Sequence, residues 1–326
     1  MRKLTPSKLI KYEVIRMIED LHVDKNYISA DSLNKQEELI NLKIDILEDG
    51  LHLPSKSNYF DTITEHQHNF YNLAKYYDLA FMRDTEGDID FFIRCFQRYS
   101  DIEVTHVLEA ACGPGLFLEM MAVSGYNVLG FDLNPAMVEY SKNRLREHGI
   151  SIMKADAVIA NMKNFKFEEK FDAGFVCINS LGYLKTDQEI ISHFKSMDNA
   201  LNKGAIYIVE ISCKCGDIKN EKKVDETWHV KEDHVEIDLK WVIKSYDVNK
   251  RLRNIDFKMV VNDNGSQIVV EEEHELRLWI FEEFKEFARS GGFEIVGIFN
   301  QNYELVSEQE KITGELGVLY FVLKKI

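Results

Sequence analysis

The stretch LEAACGPG, Leu108–Gly115, decides how this chain is read. It closes an apolar run that begins at Val104, and it sets two glycines and a proline in a tight turn ahead of LFLEMMAVSG. A glycine-rich turn between a strand and a helix lets a ligand lie against bare backbone. A dinucleotide fingerprint needs a third glycine for close helix–strand packing, yet Leu116, Phe117 and Leu118 follow Gly115. A P-loop needs Lys followed by Ser or Thr, and no such pair follows. Both phosphate readings fail on this stretch.

Working outward, the same rhythm repeats. YNVLGFD is a second strand, and PAMVEYSKNRLREHG a helix with proline near its first position. ISIMKAD, FDAGFVCIN and AIYIVEIS are three further apolar runs, and FEIVGIF and GVLYFVLKKI end the chain. Short buried strands alternating with amphipathic helices predict an α/β, Rossmann-like, doubly wound sheet of seven strands, mostly parallel. Between them WHVKEDHVEIDLKWVIKSYD, RLRNIDFKMVVND and SQIVVEEEHELRLW alternate with period two. The turns DVNK and NDNG join them, so residues 213–279 are expected to be an antiparallel β insertion. KLIKYEVIRMIEDL and NKQEELINLKIDILEDG have helical spacing and predict a helical appendage over residues 1–60, ahead of a domain over 61–326.

Small residues Ala111, Gly113 and Gly115 alternate after the acid Glu109, so main-chain amides there suit an amino-acid-like tail. Asp132, in GFDLNP, ends the second strand, where a carboxylate suits ribose hydroxyls. Asp156, in KADA, is expected to end the third strand and to accept from an adenine amine.

VLEAACGPG, VLGFDLNPAM, KADA and FDAGFVCINSLGYL, in this order and spacing, resemble class I S-adenosylmethionine-dependent methyltransferases over roughly residues 70–326. YYDLAF, NSLGYLKT and the insertion are similar to the small-molecule branch, including amino-sugar N,N-dimethyltransferases and glycine or sarcosine N-methyltransferases. The resemblance implies S-adenosyl-L-methionine as cofactor, S-adenosyl-L-homocysteine as product, and a small-molecule acceptor. It assigns Glu109, Ala110, Ala111, Gly113 and Gly115 to the methionine portion and Asp132 to the ribose. Asp156 and Ala157 fall to the adenine edge and Leu133 and Met137 to its walls; Cys177 and Asn179 are further contacts. Tyr77 resembles the tyrosine that lids the cofactor.

Methyl transfer from a sulfonium is an in-line displacement, so alignment and exclusion of water matter most. A neutral amine needs no strong base, whereas a hydroxyl usually does. This puts N-methylation of an amino sugar or amino acid ahead of O-methylation. A non-catalytic S-adenosylmethionine-binding protein is a further alternative. Tyr183 and Tyr77 are the catalytic candidates, and Ser180, Tyr183, His66 and Arg277 the acceptor-binding ones. Trp228, Trp241 and Trp279 read as sheet packing.

The 55 acidic against 40 basic residues, a net charge of −15, argue against nucleic acid as a partner. Five scattered cysteines lack metal-ligand spacing, so no metal is expected. Their usage fits a reducing cytoplasm. No run approaches ~18 apolar residues, so no membrane association is expected. The appendage and insertion are expected to cover the cleft or to build a homodimer.

Overall fold

The computed structural model describes residues 70–81, 85–214, 225–306 and 318–326. The appendage over 1–60, His66 and Cys215 lie outside the described residues. A 3-10 turn at Phe70–Asn72 leads into α1 (Ala74–Phe81), and α2 (Glu86–Tyr99) precedes the sheet. There follow β1 (His106–Ala110), α3 (Leu116–Val123), β2 (Asn127–Asp132), α4 (Pro135–Glu147), β3 (Ala155–Ile159) and β4 (Phe171–Val176). Helix α5 (Asp187–Ala200) runs straight into the long β5 (Leu201–Lys214). Next come β6 (Asp225–Glu232), β7 (Val235–Asp247), β8 (Leu252–Asp263) and β9 (Ser266–Arg277). The chain closes with β10 (Trp279–Ile280), α6 (Phe281–Ser290), β11 (Phe293–Asn300) and β12 (Val318–Lys325).

The main sheet has the order β11-β12-β5-β4-β1-β2-β3, with the short β10 paired to β5. Strands β1 to β5 pair in parallel, while β12 is antiparallel to both of its neighbours. This is the seven-stranded, mostly parallel sheet that the alternation predicts. Its strands read as continuous apolar runs because helices cover both faces. Val107 of β1 packs with Phe92, Leu118 and Phe175 on one face, and its neighbour Leu108 joins Phe131, Phe194 and Phe321 on the other. Each such side chain, once fully buried, contributes about 1.5–3 kcal/mol.

The chain order reverses between β1 and β4, which makes the space beyond their carboxyl ends the switch-point crevice. Helix α4 starts beside it because Asn134 caps it, its Oδ1 accepting from the Ala136 N–H at 2.8 Å, with Pro135 at the first position. Helix α5 starts with a capping box in which Thr186 and Glu189 satisfy each other's backbone N–H groups.

Two sequence expectations shift. The third strand begins at Ala155, not at Ile150. After α4 the chain must turn to reach the sheet edge, and it does so with Lys154 and Ala155 N–H groups donating to the Ser151 carbonyl at 2.8 and 3.0 Å. Ile152 and Met153 are left 69% and 83% exposed, so their apolar character is not a strand signal. The run WHVKEDHVEIDLKWVIKSYD is two strands, β6 and β7, folded at Asp233–His234 with Asp233 at φ +50°. A two-residue turn preserves the period-two alternation, which hides it in the sequence. The Asn264–Gly265 turn falls where NDNG places it, both residues having positive φ.

The four inserted strands form their own antiparallel sheet, β6-β7-β8-β9. Its inner face buries Ile237, Leu239, Phe257 and Met259 against Phe70 and α1. Its outer face carries cross-strand ion pairs, among them Lys258–Glu271 at 2.6 Å and Lys244–Asp256 at 2.9 Å, and a His229–Asp238 hydrogen bond at 2.8 Å.

Candidate functional site

A cavity of about 970 Å³ opens over the carboxyl ends of the parallel strands. On one side stand Ala111, Gly113 and Asp132, followed by Leu133 and Met137 at the start of α4. The exits of β3 (Ala160 to Lys163) and β4 (Ile178, Asn179, Ser180, Tyr183) form the floor. The inserted sheet closes the far side with Trp228, Trp241, Ile243, Tyr246, Arg253 and Leu276. Trp228 and Trp241 are therefore cavity walls as well as sheet packing. Trp279 is 1% exposed in the main core.

Backbone shape at the switch point is unusual on both sides. Ala111 has φ +55°, and Ile178 and Asn179 have φ +55° and +53°. Non-glycine residues in this region cost about 1–3 kcal/mol each and persist where surrounding bonds enforce them. Here the Ile178 N–H donates to Glu210 Oε2 at 3.0 Å, and Asn179 Oδ1 accepts from the Ser212 N–H at 3.1 Å. Gly113, φ +52°, has open space where a Cβ would be and exposes its backbone to the cavity.

Asp132 is held from both sides. Its Oδ2 accepts from the Gly113 N–H at 3.0 Å and its Oδ1 from the Asn134 N–H at 2.9 Å. Each oxygen has a second lone pair, so the carboxylate can still accept from a diol. Burial raises its pKa, opposed by the N–H groups of Asn134, Gly113 and Leu133. Glu109 is 2% exposed, and its Oε2 has no hydrogen-bond partner. It lines a smaller pocket of about 50 Å³ with Tyr77, Cys112, Cys177 and Ser180. Burial, and then the nearby Asp132, push its carboxyl well above the usual range. An orphaned carboxyl oxygen beside open backbone is a seat for a ligand ammonium. The residues present thus fit an amino-acid tail next to a ribose.

The roof is aromatic. Tyr77 stacks on Phe81 with ring centroids 4.7 Å apart, and the Tyr71 and Tyr183 hydroxyls hydrogen-bond to each other. Burial raises the phenol pKa of Tyr71, Tyr77 and Tyr183, so all three stay neutral at neutral pH. The roof is pinned twice. Asp78 accepts from Tyr140 at 3.0 Å and pairs with Arg144, and the Trp228 indole N–H donates to the Ala80 carbonyl at 3.0 Å.

Several expected contacts lie elsewhere. Asp156 is the second residue of β3, level with Leu129, and does not end the strand. Its Oδ1 lies 3.5 Å from Lys142 Nζ and accepts from the Ala157 N–H. The polar side chain beyond the strand's carboxyl end is Asn161, which lines the cavity with Met162. Ala110 and Ala157 are fully buried in the core rather than in a wall. Gly115 also stands back from the cavity: at φ +82°, a Cβ there would lie 2.1 Å from Ser141 Oγ, so glycine lets α4 pack on the turn. Arg277, 2% exposed, faces away from the cleft, holding Asp187 at 2.5 Å and the Lys185 carbonyl at 3.3 Å at the start of α5. His193, which the sequence did not single out, is buried behind the floor. A carbonyl can only accept, so its Nδ1–H donates to Met162 O at 2.8 Å and its Nε2 accepts from Tyr207 Oη at 2.8 Å. Among the described residues no group of three His, Cys, Asp or Glu could hold a metal ion, and no helix is long and apolar enough to cross a membrane.

Residues 107–204 match the family model described as a methyltransferase domain. A putative methyltransferase, YqeM of Bacillus subtilis, is 26% identical over 196 residues, 59% of this chain and 75% of that protein. The dTDP-3-amino-3,4,6-trideoxy-alpha-D-glucopyranose N,N-dimethyltransferase of Streptomyces venezuelae is 29% identical over 110 residues, 33% of this chain and 43% of that one. Among solved structures, an S-adenosylmethionine-dependent methyltransferase of Clostridium acetobutylicum has a TM-score of 0.63 at 21% identity, covering 79% of this chain and 99% of that one. Streptomyces venezuelae DesVI also reaches 0.63, at 17% identity and 78% and 99% coverage. With the sheet order and the crevice geometry, these matches define the class: the fold is that of class I methyltransferases. The chain carries the methyltransferase domain and is an S-adenosylmethionine-dependent methyltransferase.

Proposed function

We propose that the chain methylates an amine nitrogen of a small molecule, such as an amino sugar or amino acid. The observation that carries this reading is the hydrogen-bonded phenol pair Tyr71–Tyr183 on the cavity wall, both hydroxyls kept neutral by burial. A neutral phenol can accept from an amine N–H and orient the nitrogen lone pair, but it is no base for a hydroxyl acceptor. The N,N-dimethyltransferase relative of Streptomyces venezuelae, which by its name acts on an amino sugar, supports the same direction.

S-adenosylmethionine, when bound, supplies an activated methyl group. In this reading Glu109 holds its ammonium, Asp132 its ribose hydroxyls, and Leu133, Met137 and Met162 flank its adenine, with Asn161 at the adenine edge. Cys177, Asn179 and Ser180 shape the floor, and Tyr77 with Phe81 keeps water from the reacting atoms. Tyr183 and Tyr71 orient the acceptor. The four described cysteines are buried and scattered along the chain, a usage that fits a cytoplasmic setting. The ion-paired outer face of the inserted sheet suits solvent better than a dimer interface, whose core is depleted in charge. That leaves the N-terminal residues as the expected site of any self-association.

The test is product formation with methyl-labelled S-adenosylmethionine across amines and matched hydroxyl compounds. Methylation of amines with none of the hydroxyl partners is expected. Methylation confined to hydroxyls would replace this reading with an O-methyltransferase, and cofactor binding without turnover on any acceptor would make the chain a binding protein.

A further inference from the structure

We propose that the inserted sheet carries a cation subsite at the cavity rim: the Glu226 carboxylate, with the Trp228 and Trp241 rings, holds a second positively charged nitrogen of the acceptor. This rests on the reading that the cleft methylates an amine, and it narrows the acceptor to an organic dication such as a diamine or a diamino sugar.

Strand parity places the acid. Glu226 and Trp228 are two residues apart on β6, share a face, and both line the cavity. In the register across the sheet one row reads Glu226, Trp241, Phe257, Glu272, two rings between two carboxylates. The far end of that row is closed. Glu272 accepts from the Phe70 N–H at 2.7 Å, and Phe257 is 1% exposed with its ring centroid 4.2 Å from that of Phe70. The near end is Glu226 beside Trp241, and there the row is open, Glu226 being exposed. Asp225, one residue earlier, belongs to the outer face and pairs with Lys240 at 3.4 Å. The outer face thus sets a lysine against its acid, whereas the inner face sets a ring against Glu226.

Both rings are held in place before a ligand arrives. The Trp228 indole N–H donates to the Ala80 carbonyl at 3.0 Å, and its ring meets Phe81 edge-on at 5.4 Å. Trp241 stacks on His274 with centroids 5.8 Å apart. Aromatic faces beside a carboxylate recognise an ammonium, each ring contributing about 0.5–2 kcal/mol. The other charged wall residues are Asp132, Lys163 and Arg253. Asp132 takes two backbone N–H groups, Lys163 is held by Glu189 at 2.5 Å, and Arg253 is engaged in interactions of its own. Arg253 also lies four residues along β8 from Phe257, roughly 13 Å by the strand rise. Among the described residues Glu226 makes no hydrogen bond or ion pair, which leaves its charge for a ligand. The subsite connects to the reacting end through His274, whose ring centroid is 6.2 Å from those of both Tyr71 and Tyr183. A dication can therefore set one nitrogen at the phenol pair and the other at Glu226, and the net charge of −15 draws such a molecule toward the cleft.

The experiment uses matched pairs: butylamine with putrescine, pentylamine with cadaverine, and glucosamine with its 6-amino-6-deoxy derivative. They are titrated into the full chain saturated with S-adenosylhomocysteine, and methyl transfer is followed in parallel. In the wild type the dicationic member of at least one pair should bind roughly fivefold or more tightly than its partner. Glu226→Gln should abolish the preference, and Glu226→Lys should reverse it. Asp225→Asn makes the same change of charge on the outer face and should keep the preference, which separates a local site from the field of the whole chain. Because Glu226 is exposed, its variants should keep the wild-type thermal midpoint and S-adenosylhomocysteine affinity. Equal binding within every pair, a preference that survives in Glu226→Gln, or an equal loss in Asp225→Asn overturns the inference. A Glu226-dependent preference without methylation of any amine would leave the subsite standing and remove the N-methylation reading. Methylation of amines with no preference for dications would do the reverse.

Discussion

The Gly113 N–H donates to Asp132 Oδ2 at 3.0 Å, tying the glycine turn after β1 to the acid that ends β2. This bond fixes the two halves of the proposed cofactor cradle relative to each other before any ligand enters. Gly113 makes this bond from the left-handed region, at φ +52°. The remaining lone pairs of Asp132 face the cavity, and each prediction below follows from a comparable arrangement.

Glu109 is buried with an unpartnered Oε2, and its pKa is raised by burial first and Asp132 second. In the ligand-free protein the folded chain keeps this proton to a higher pH than the unfolded chain. Stability contributed by the neutral carboxyl is therefore lost as pH rises from the ordinary carboxyl range through the raised value. Glu109→Gln should flatten that part of the stability–pH curve and raise the neutral-pH melting temperature of the free protein. It should also shrink the melting shift produced by S-adenosylhomocysteine. An unchanged ligand shift would remove Glu109 from the cradle.

Gly115→Ala places a Cβ 2.1 Å from Ser141 Oγ at a φ of +82°. Overpacking and backbone strain together should cost about 2–4 kcal/mol in chemical denaturation. Adding Ser141→Gly should recover the part due to the clash. A double variant no more stable than Gly115→Ala would show that strain alone matters.

His193 is fully buried and neutral, with burial pushing its pKa down to about 4. The unfolded chain takes up the proton near pH ~6.5, so stability present above that value is lost as pH falls toward about 4. The loss should reach about 3 kcal/mol, and it should be absent from His193→Gln. Because His193 holds the Met162 carbonyl, the variant should also weaken S-adenosylhomocysteine binding through the β3 exit. Parallel pH–stability curves for the two proteins would contradict this.

Tyr183→Phe removes one hydroxyl of the phenol pair and leaves its ring against the cavity. With an acceptor in hand, kcat should fall by about 10–100-fold. S-adenosylhomocysteine affinity should stay within a factor of two or so. A loss of cofactor affinity instead of turnover would move Tyr183 to the cofactor side.

The alternation of strands and helices, the hairpin at Asn264–Gly265 and the positions of Glu109 and Asp132 near the ends of β1 and β2 were legible in the sequence because each depends on local pattern. Asp156 was misplaced because an apolar run, Ile150–Met153, imitates a strand while serving as the turn that returns the chain to the sheet edge. With the strand starting at Ala155, the crevice position passes to Asn161, a residue that has no acidic signature. The inserted sheet's part in the cavity was not legible either. Whether Arg253 or Arg277 faces the cleft depends on register across β8 and β9, and period two alone does not state which face is inside. His193 was invisible because its partners, Met162 and Tyr207, come together only in the fold.

The most direct test of the account is calorimetric titration of S-adenosylhomocysteine into the full chain and into Asp132→Ala. Saturable one-to-one binding is predicted for the wild type, with a loss of about 1–3 kcal/mol in the variant as the ribose hydroxyls lose their acceptor. No measurable binding to the wild type, or equal dissociation constants for the two proteins, would contradict it.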